Sequence, residues 1–233
     1  MEFAIDPDID GLMEQLKNNY IWKVRLCGVL CDDGVSEEIF TRLFDEYVNK
    51  INQLSQVRNE KIAYYREDLG KRRAELDEVE KNLEELNVRV AVGQISSGEL
   101  TAQTPELEGE IDRLTTETSK LDAQLARLND LMRGTSPKDI HDLEKTARRG
   151  LDSLDAMVTS GKVSSKLGND LRKDLEAALN VFNGIIGDKK QMEKELRDDL
   201  STLEARYKVG EINISKFEAQ KRRINEELEK IWV

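Results

Sequence analysis

The segment that comes nearest to a metal-binding motif is acidic and lies at Asp6–Gly11, with the sequence Asp-Pro-Asp-Ile-Asp-Gly. Alternating carboxylates followed by glycine open the calcium loop of an EF-hand, whose twelfth position supplies a bidentate glutamate. That position is Lys17 here, and an ammonium group cannot coordinate a cation. We therefore interpret the segment as a solvated acidic lead-in or a helix cap.

The two cysteines and the single histidine are the other residues that could bind a metal. Cys27 and Cys31 stand four residues apart, which places both thiols on one face of a helix. Structural zinc takes four such ligands, and the two cysteines with His141 supply only three. The cysteines are interpreted as buried reduced thiols, with a redox or intermolecular disulfide role as the alternative. His141 lies beside Asp139 and Asp142 and is predicted to be solvated.

Sequence signatures of catalysis are missing. The chain has no glycine-rich phosphate loop, no Gly-x-Ser-x-Gly elbow and no His-Glu-x-x-His pair. Its many carboxylate pairs alternate with basic residues at helical spacing, as expected for solvated helix faces. We predict no catalytic, cofactor-binding or metal-binding residues and no enzyme activity.

The net charge of the chain disfavours negatively charged partners. The 233 residues include 47 acids and 36 bases, for a net charge of −11. This excess repels nucleic acid phosphates and anionic lipid. The compact basic clusters, Arg148-Arg149 and Lys221–Arg223, are balanced by nearby acids such as Glu226 and Glu227. With no run of 18 apolar residues, we expect a soluble cytoplasmic protein without an integral membrane segment.

The elements that carry these residues are predicted to be long helices. Charged residues make up 36% of the chain, only three prolines occur, and apolar residues recur at alternating steps of three and four. Two stripes are the clearest and should pair: Leu69, Leu76, Val79, Leu83, Leu86 and Val90, followed by Leu107, Ile111, Leu114, Thr118, Leu121, Leu125, Leu128 and Met132. The predicted fold is an all-α, elongated antiparallel coiled coil.

The sequence suggests three segments: residues 1–35 as an N-terminal helical segment, 36–133 as a long coiled-coil hairpin, and 134–233 as C-terminal helical hairpins. Tyr20–Leu30 is apolar enough for a strand, but helix is favoured because no pairing strand is nearby. In the last segment the apolar stripe includes Ile185 and Met192, and Gly184 and Gly187 are predicted to weaken the helix locally and to mark a bend.

A recurring turn joins the predicted helices. In each copy a glycine would take a left-handed conformation, and a Ser or Asn would cap the next helix. In three copies, the apolar residue just before the cap is predicted to contact the apolar residue four positions after the cap. These pairs are Val35 with Phe40, Ile95 with Leu100 and Ile212 with Phe217. The turn residues are Gly34, Ser36, Gly93, Ile95, Ser96, Gly161, Val163, Ser164, Gly210, Ile212 and Asn213.

These turns, set between charged heptads, resemble the coiled-coil region of the CdvA-like family of archaeal cell-division scaffolds. The likeness is carried by Asp33–Phe40 (Asp-Gly-Val-Ser-Glu-Glu-Ile-Phe) and by Tyr207–Asn213 (Tyr-Lys-Val-Gly-Glu-Ile-Asn). It covers Asp32–Asp130 best. The resemblance implies a division scaffold that forms filaments or complexes with ESCRT-III-like proteins.

The functional prediction is a non-enzymatic coiled-coil scaffold that associates with itself or with partner helices, in archaeal cell division or membrane remodelling. A regulatory adaptor that binds a partner transiently and a peripheral membrane or DNA organiser are the alternatives. The stripe of Phe40, Phe44, Tyr47 and Ile51 should remain uncovered by the following helix. The first helix and the segments after Gly134 could cover part of it, but the later segments have apolar stripes of their own to bury, so a homo-oligomer interface is predicted here.

Overall fold

The computed structural model describes residues 5–232, and every regular element in this range is a helix. No strand occurs among these residues, so the all-α prediction is confirmed, and Tyr20–Leu30 lies within a helix. The helices are α1 (Pro7–Cys31), α2 (Glu37–Ala91), α3 (Ser97–Asn129), α4 (Pro137–Thr159), α5 (Ser165–Lys208) and α6 (Ile214–Ile231).

Side-chain caps define where several helices begin. Ser96 forms a reciprocal capping box: its hydroxyl accepts from the Glu99 backbone N–H at 3.2 Å, and the Glu99 carboxylate accepts from the Ser96 N–H at 2.7 Å. Ser164 and Asn213 accept from the third residue of α5 and of α6. Gly93, Gly134, Gly161 and Gly210 have φ values from 74° to 78°, which favour glycine.

The predicted left-handed conformation of Gly34 is wrong. Asp33 is the residue with a left-handed conformation there, with φ of 56°. Gly34 instead approaches the end of α1 closely: its N–H donates to the Val29 carbonyl at 2.9 Å. A Cβ on Gly34 would lie 2.8 Å from Val29 Cγ1, so this position needs glycine for lack of space.

The described chain divides into two compact units. Residues 5–19 and 49–133 form the first unit, and residues 20–48 and 134–232 form the second. The divisions inferred from sequence differ from these, because α1 and α2 each contribute to both units.

The first unit has a three-helix core. The beginning of α1, the middle of α2 and the end of α3 contribute its buried residues, which are Ile9, Leu12, Met13, Leu16, Leu54, Ile62, Leu69, Leu125 and Leu128. Arg127 of α3 is 3% exposed and pairs with Asp10 and Glu14 of α1. Burial of the guanidinium is tolerated because it is paired and because it also donates to the Asp130 carbonyl.

In the second unit α5 packs against α4 and against α6. Ile186 is buried, whereas Ile185, which the sequence pattern placed in the apolar stripe, is 48% exposed. Met192 was placed there too and is also exposed. The helix is continuous through Gly184 and Gly187, so neither glycine ends it.

Candidate interaction surface

The stripe predicted to form a self-association interface is partly covered by the chain itself. Phe40 and Phe44 are buried and stack on each other in the second unit, where Tyr47 also contacts Trp22 of α1 at 6.1 Å between ring centroids. Ile51 packs against the core of the first unit. Other segments of the same chain bury Phe40 and Phe44, so the prediction of an open stripe is wrong for these two residues, whereas Tyr47 and Ile51 are half-buried.

The surface that the chain leaves partly open lies at the end of α2 and the beginning of α3. From residue 80 to residue 113, which we call the α2–α3 arm, no residue is fully buried. The predicted apolar stripe is present, but its members Leu83, Leu86, Val90, Leu107 and Ile111 are only half-buried. Two helices alone cannot enclose these side chains.

The turn at the tip of this arm has a well-defined backbone and exposes apolar side chains. The Ser96 capping box and the positive φ of Gly93 determine the backbone path between α2 and α3. Val92 is 71% exposed, and Ile95 is half-buried. α3 begins at Ser97, directly after this turn, and includes Pro105.

On this arm the basic side chains are paired, whereas several acidic ones are not. All three of its basic residues form ion pairs: Lys81 with Asp77, Arg89 with Glu85, and Arg113 with Glu110 and Glu117. Within residues 5–232, the side-chain carboxylates of Glu80, Glu84 and Glu108 form no hydrogen bond or ion pair with another residue. The unsatisfied charge on this surface is therefore acidic.

A second two-helix segment, the α5–α6 arm, comprises residues 187–231. Apart from Leu203 and Ile231 it has no fully buried residue. Tyr207 and Phe217 stack near its tip, with ring centroids 4.5 Å apart. Phe217 is half-buried, and Val209 at the tip is 77% exposed. The turn residue Ile212 is half-buried, whereas its counterpart Val163 is buried at 1% exposure.

A buried polar cluster in the second unit was not predicted from sequence. The Glu144 side chain is 4% exposed and accepts from Arg148 at 2.6 Å and from Lys190 at 3.0 Å. Burial alone would raise the pKa of Glu144, but the hydrogen bonds from these two cations outweigh it and lower the pKa. The spacing of Glu144 and Arg148 along α4 was visible in the sequence, whereas Lys190 is brought in by packing.

His141 adjoins this cluster, and the prediction that it is solvated is wrong. Its side chain is 15% exposed and stacks on Trp232, whose indole N–H donates to Glu193 at 3.0 Å. The Nδ1 atom of His141 has no hydrogen-bond partner in the part of the chain that the structure describes. No local sequence signal links His141 to a residue 91 positions away.

A second buried ion pair joins α1 and α5 within the second unit. Lys23 is 4% exposed and contacts Asp174 at 2.5 Å. Cys27, one turn along α1, is buried and Cys31 is half-buried, and both are free thiols. Burial, with a smaller contribution from Asp174, raises the pKa of Cys27 to about 12.

The acidic segment at the start of α1 caps a helix, because the Asp6 carboxylate accepts from the Asp8 N–H at 2.9 Å. Lys17 pairs with Glu14 and donates to the Arg133 carbonyl. Among residues 5–232 no group of three His, Cys, Asp or Glu side chains is arranged to hold a metal. None of the helices in that range is both long and apolar enough to cross a membrane.

Comparison of the chain with protein-family models, with curated proteins and with solved structures gave no match.

Proposed function

We propose that this chain is a non-enzymatic helical scaffold, built from antiparallel coiled coils whose two-helix arms bind other helices. The observation that supports the proposal is the α2–α3 arm, where two paired helices leave every apolar residue at least partly exposed. An apolar surface of this kind on a charged helix pair is typical of an interface.

The buried charges support the same proposal. Glu144 is held by Arg148 and Lys190, and Arg127 is held by Asp10 and Glu14. Because these groups satisfy one another inside helix packings, they serve to position helices.

The process that we propose follows from the resemblance of Asp33–Phe40 and Tyr207–Asn213 to CdvA-like scaffolds. It is archaeal cell division, with self-association and ESCRT-III-like proteins as partners in the cytoplasm. Since Phe40 and Phe44 are buried, they are not available for self-association, and the α5–α6 arm is the surface that we propose for it.

Lysine crosslinking in the native cells, read by mass spectrometry, tests the proposal. We expect partner proteins or further copies of the chain to crosslink to Lys81 on the α2–α3 arm and to Lys194, Lys208 or Lys216 on the α5–α6 arm. Light scattering after size exclusion then measures the mass of the purified complexes. A monomer whose arm lysines form no intermolecular crosslinks would overturn the scaffold proposal.

The two alternative functions predict different results. A regulatory adaptor would form a short-lived complex of one chain with one partner that dissociates during size exclusion. A membrane or DNA organiser would bind anionic liposomes or duplex DNA at micromolar concentration in a salt-sensitive manner, which the net charge of −11 opposes.

A further inference from the structure

An open groove on the α2–α3 arm is lined by apolar and acidic residues. Val88 is 55% exposed in it, and Leu83 and Ile111 are half-buried. Its apolar and acidic lining residues are Leu83, Val88, Ala91, Ile111, Glu80 and Glu84. Along α2, Glu80, Glu84, Val88 and Ala91 recur at steps of four and three and so share one face of the helix, and Leu83 of α2 and Ile111 of α3 also line the groove.

The charge of the arm indicates the chemistry of an occupant. Residues 80–113 contain eight acids and three bases. Lys81, Arg89 and Arg113 are all engaged in ion pairs, whereas Glu80 and Glu84 are not. A second copy of the arm would bring like charges together, while a basic partner would find unpaired carboxylates beside apolar contacts.

The same two helices already accept a third helix at the other end of the first unit. There Met13 and Leu16 of α1 join the apolar core formed with α2 and α3. The acids Asp10 and Glu14 of α1 pair with the buried Arg127 of α3. At that end, the same helix pair thus packs with a third helix whose charges complement its own.

We infer that the groove on the α2–α3 arm binds a basic amphipathic helix of a partner protein. Apolar residues of that helix cover Leu83, Val88 and Ile111, and its Lys or Arg side chains pair with Glu80 and Glu84. This inference rests on the proposed scaffold function and specifies the class of partner that one of its arms takes.

Fluorescence anisotropy with the full chain tests the inference. The probe is a labelled peptide of about 18 residues, long enough to form a helix, with leucines at steps of three and four and lysines elsewhere. A matched peptide carries glutamate in place of lysine. We expect binding of the basic peptide alone, weakened by added salt because the charges are exposed. Equal binding of both peptides would overturn the inference.

Paired variants locate the site and separate it from general attraction to an acidic protein. Glu84→Lys should weaken binding of the basic peptide by about fivefold, because an attractive contact becomes repulsive. The control Glu78→Lys makes the same charge change at an exposed residue of α2 that does not line the groove. Equal weakening by the two variants would show that binding is not at the groove.

The apolar contact is tested in the same way. Val88→Lys should weaken binding, whereas Val57→Lys, at a site of α2 that is 42% exposed, should not. Circular dichroism verifies that each variant remains folded. If these comparisons fail while crosslinks still form on the arms, the partner class is wrong and the scaffold proposal stands. If the arms form no crosslinks in cells, the scaffold proposal itself fails.

Discussion

The indole ring of Trp232 lies parallel to the imidazole of His141, with ring centroids 3.9 Å apart and an interplanar angle of 5°. Burial, assisted by the Lys145 ammonium, lowers the pKa of His141 below its usual 6.5, despite the nearby carboxylates of Glu144 and Glu193. The stack therefore contains a neutral imidazole at neutral pH.

This arrangement predicts a pH-dependent stability. In the unfolded chain the imidazole binds a proton near pH 6.5, whereas in the folded chain it binds one only at lower pH. The contribution of His141 to stability is therefore complete above the unfolded pKa and declines as the pH falls below it. His141→Phe keeps an aromatic ring without the titration. We expect the free energy of unfolding, measured with urea, to fall more between about pH 8 and about pH 5.5 in the wild type than in this variant. Equal losses would contradict the prediction.

The stack of Tyr207 and Phe217 should stabilise the tip of the α5–α6 arm. The rings are 17° from parallel, and the Lys221 ammonium lies 5.4 Å from the Phe217 ring centroid. Phe217→Ala should cost about 1–2 kcal/mol of the free energy of unfolding through lost half-burial and ring contact. Thermal and urea denaturation measure this loss.

Double-mutant cycles identify the partner of Phe217. Stronger coupling with Tyr207→Ala than with Ile212→Ala is the expected result, since the structure shows a ring stack between Tyr207 and Phe217. The reverse pattern would favour the contact with Ile212 that was predicted from sequence.

Two glycines should respond in opposite directions to alanine. Gly93 has φ of 74°, so Gly93→Ala should destabilise the chain by about 1–2 kcal/mol, because an L side chain is strained there. Gly184 lies inside α5 with open space around an added Cβ, so Gly184→Ala should stabilise it by about 0.5–1 kcal/mol. Effects of the same sign in urea unfolding would contradict this assignment.

The two cysteines should differ in reactivity. Burial raises the pKa of the Cys27 thiol to about 12, so Cys27 should not react with Ellman's reagent in the folded chain at about pH 8. Cys31 is half-buried and should react faster, although burial also raises its pKa. Cys31→Ser should abolish the native-state reaction and leave one thiol that reacts only in denaturant. A rapid native reaction in that variant would show that Cys27 is accessible.

Local features of this protein could be predicted from its sequence because they depend on neighbours along the chain. The spacing of Ser96 and Glu99 predicts a capping box, and Ser136 followed by Pro137 predicts the start of α4; the structure has both features. The apolar period likewise predicts helices throughout the described range. The bonds and stripes concerned join residues within a few positions of each other, so no packing information is needed.

Tertiary structure decided which apolar and polar side chains are enclosed. Periodicity could not show that Phe40 and Phe44 are covered by other segments of the chain, or that Ile186 is buried while Ile185 is exposed. Nor could it place His141 against Trp232. A periodic stripe specifies one face of a helix, but which helix covers that face depends on packing between residues far apart in sequence. For the same reason, the partly open seam of the α2–α3 arm was apparent only once the helices were in place.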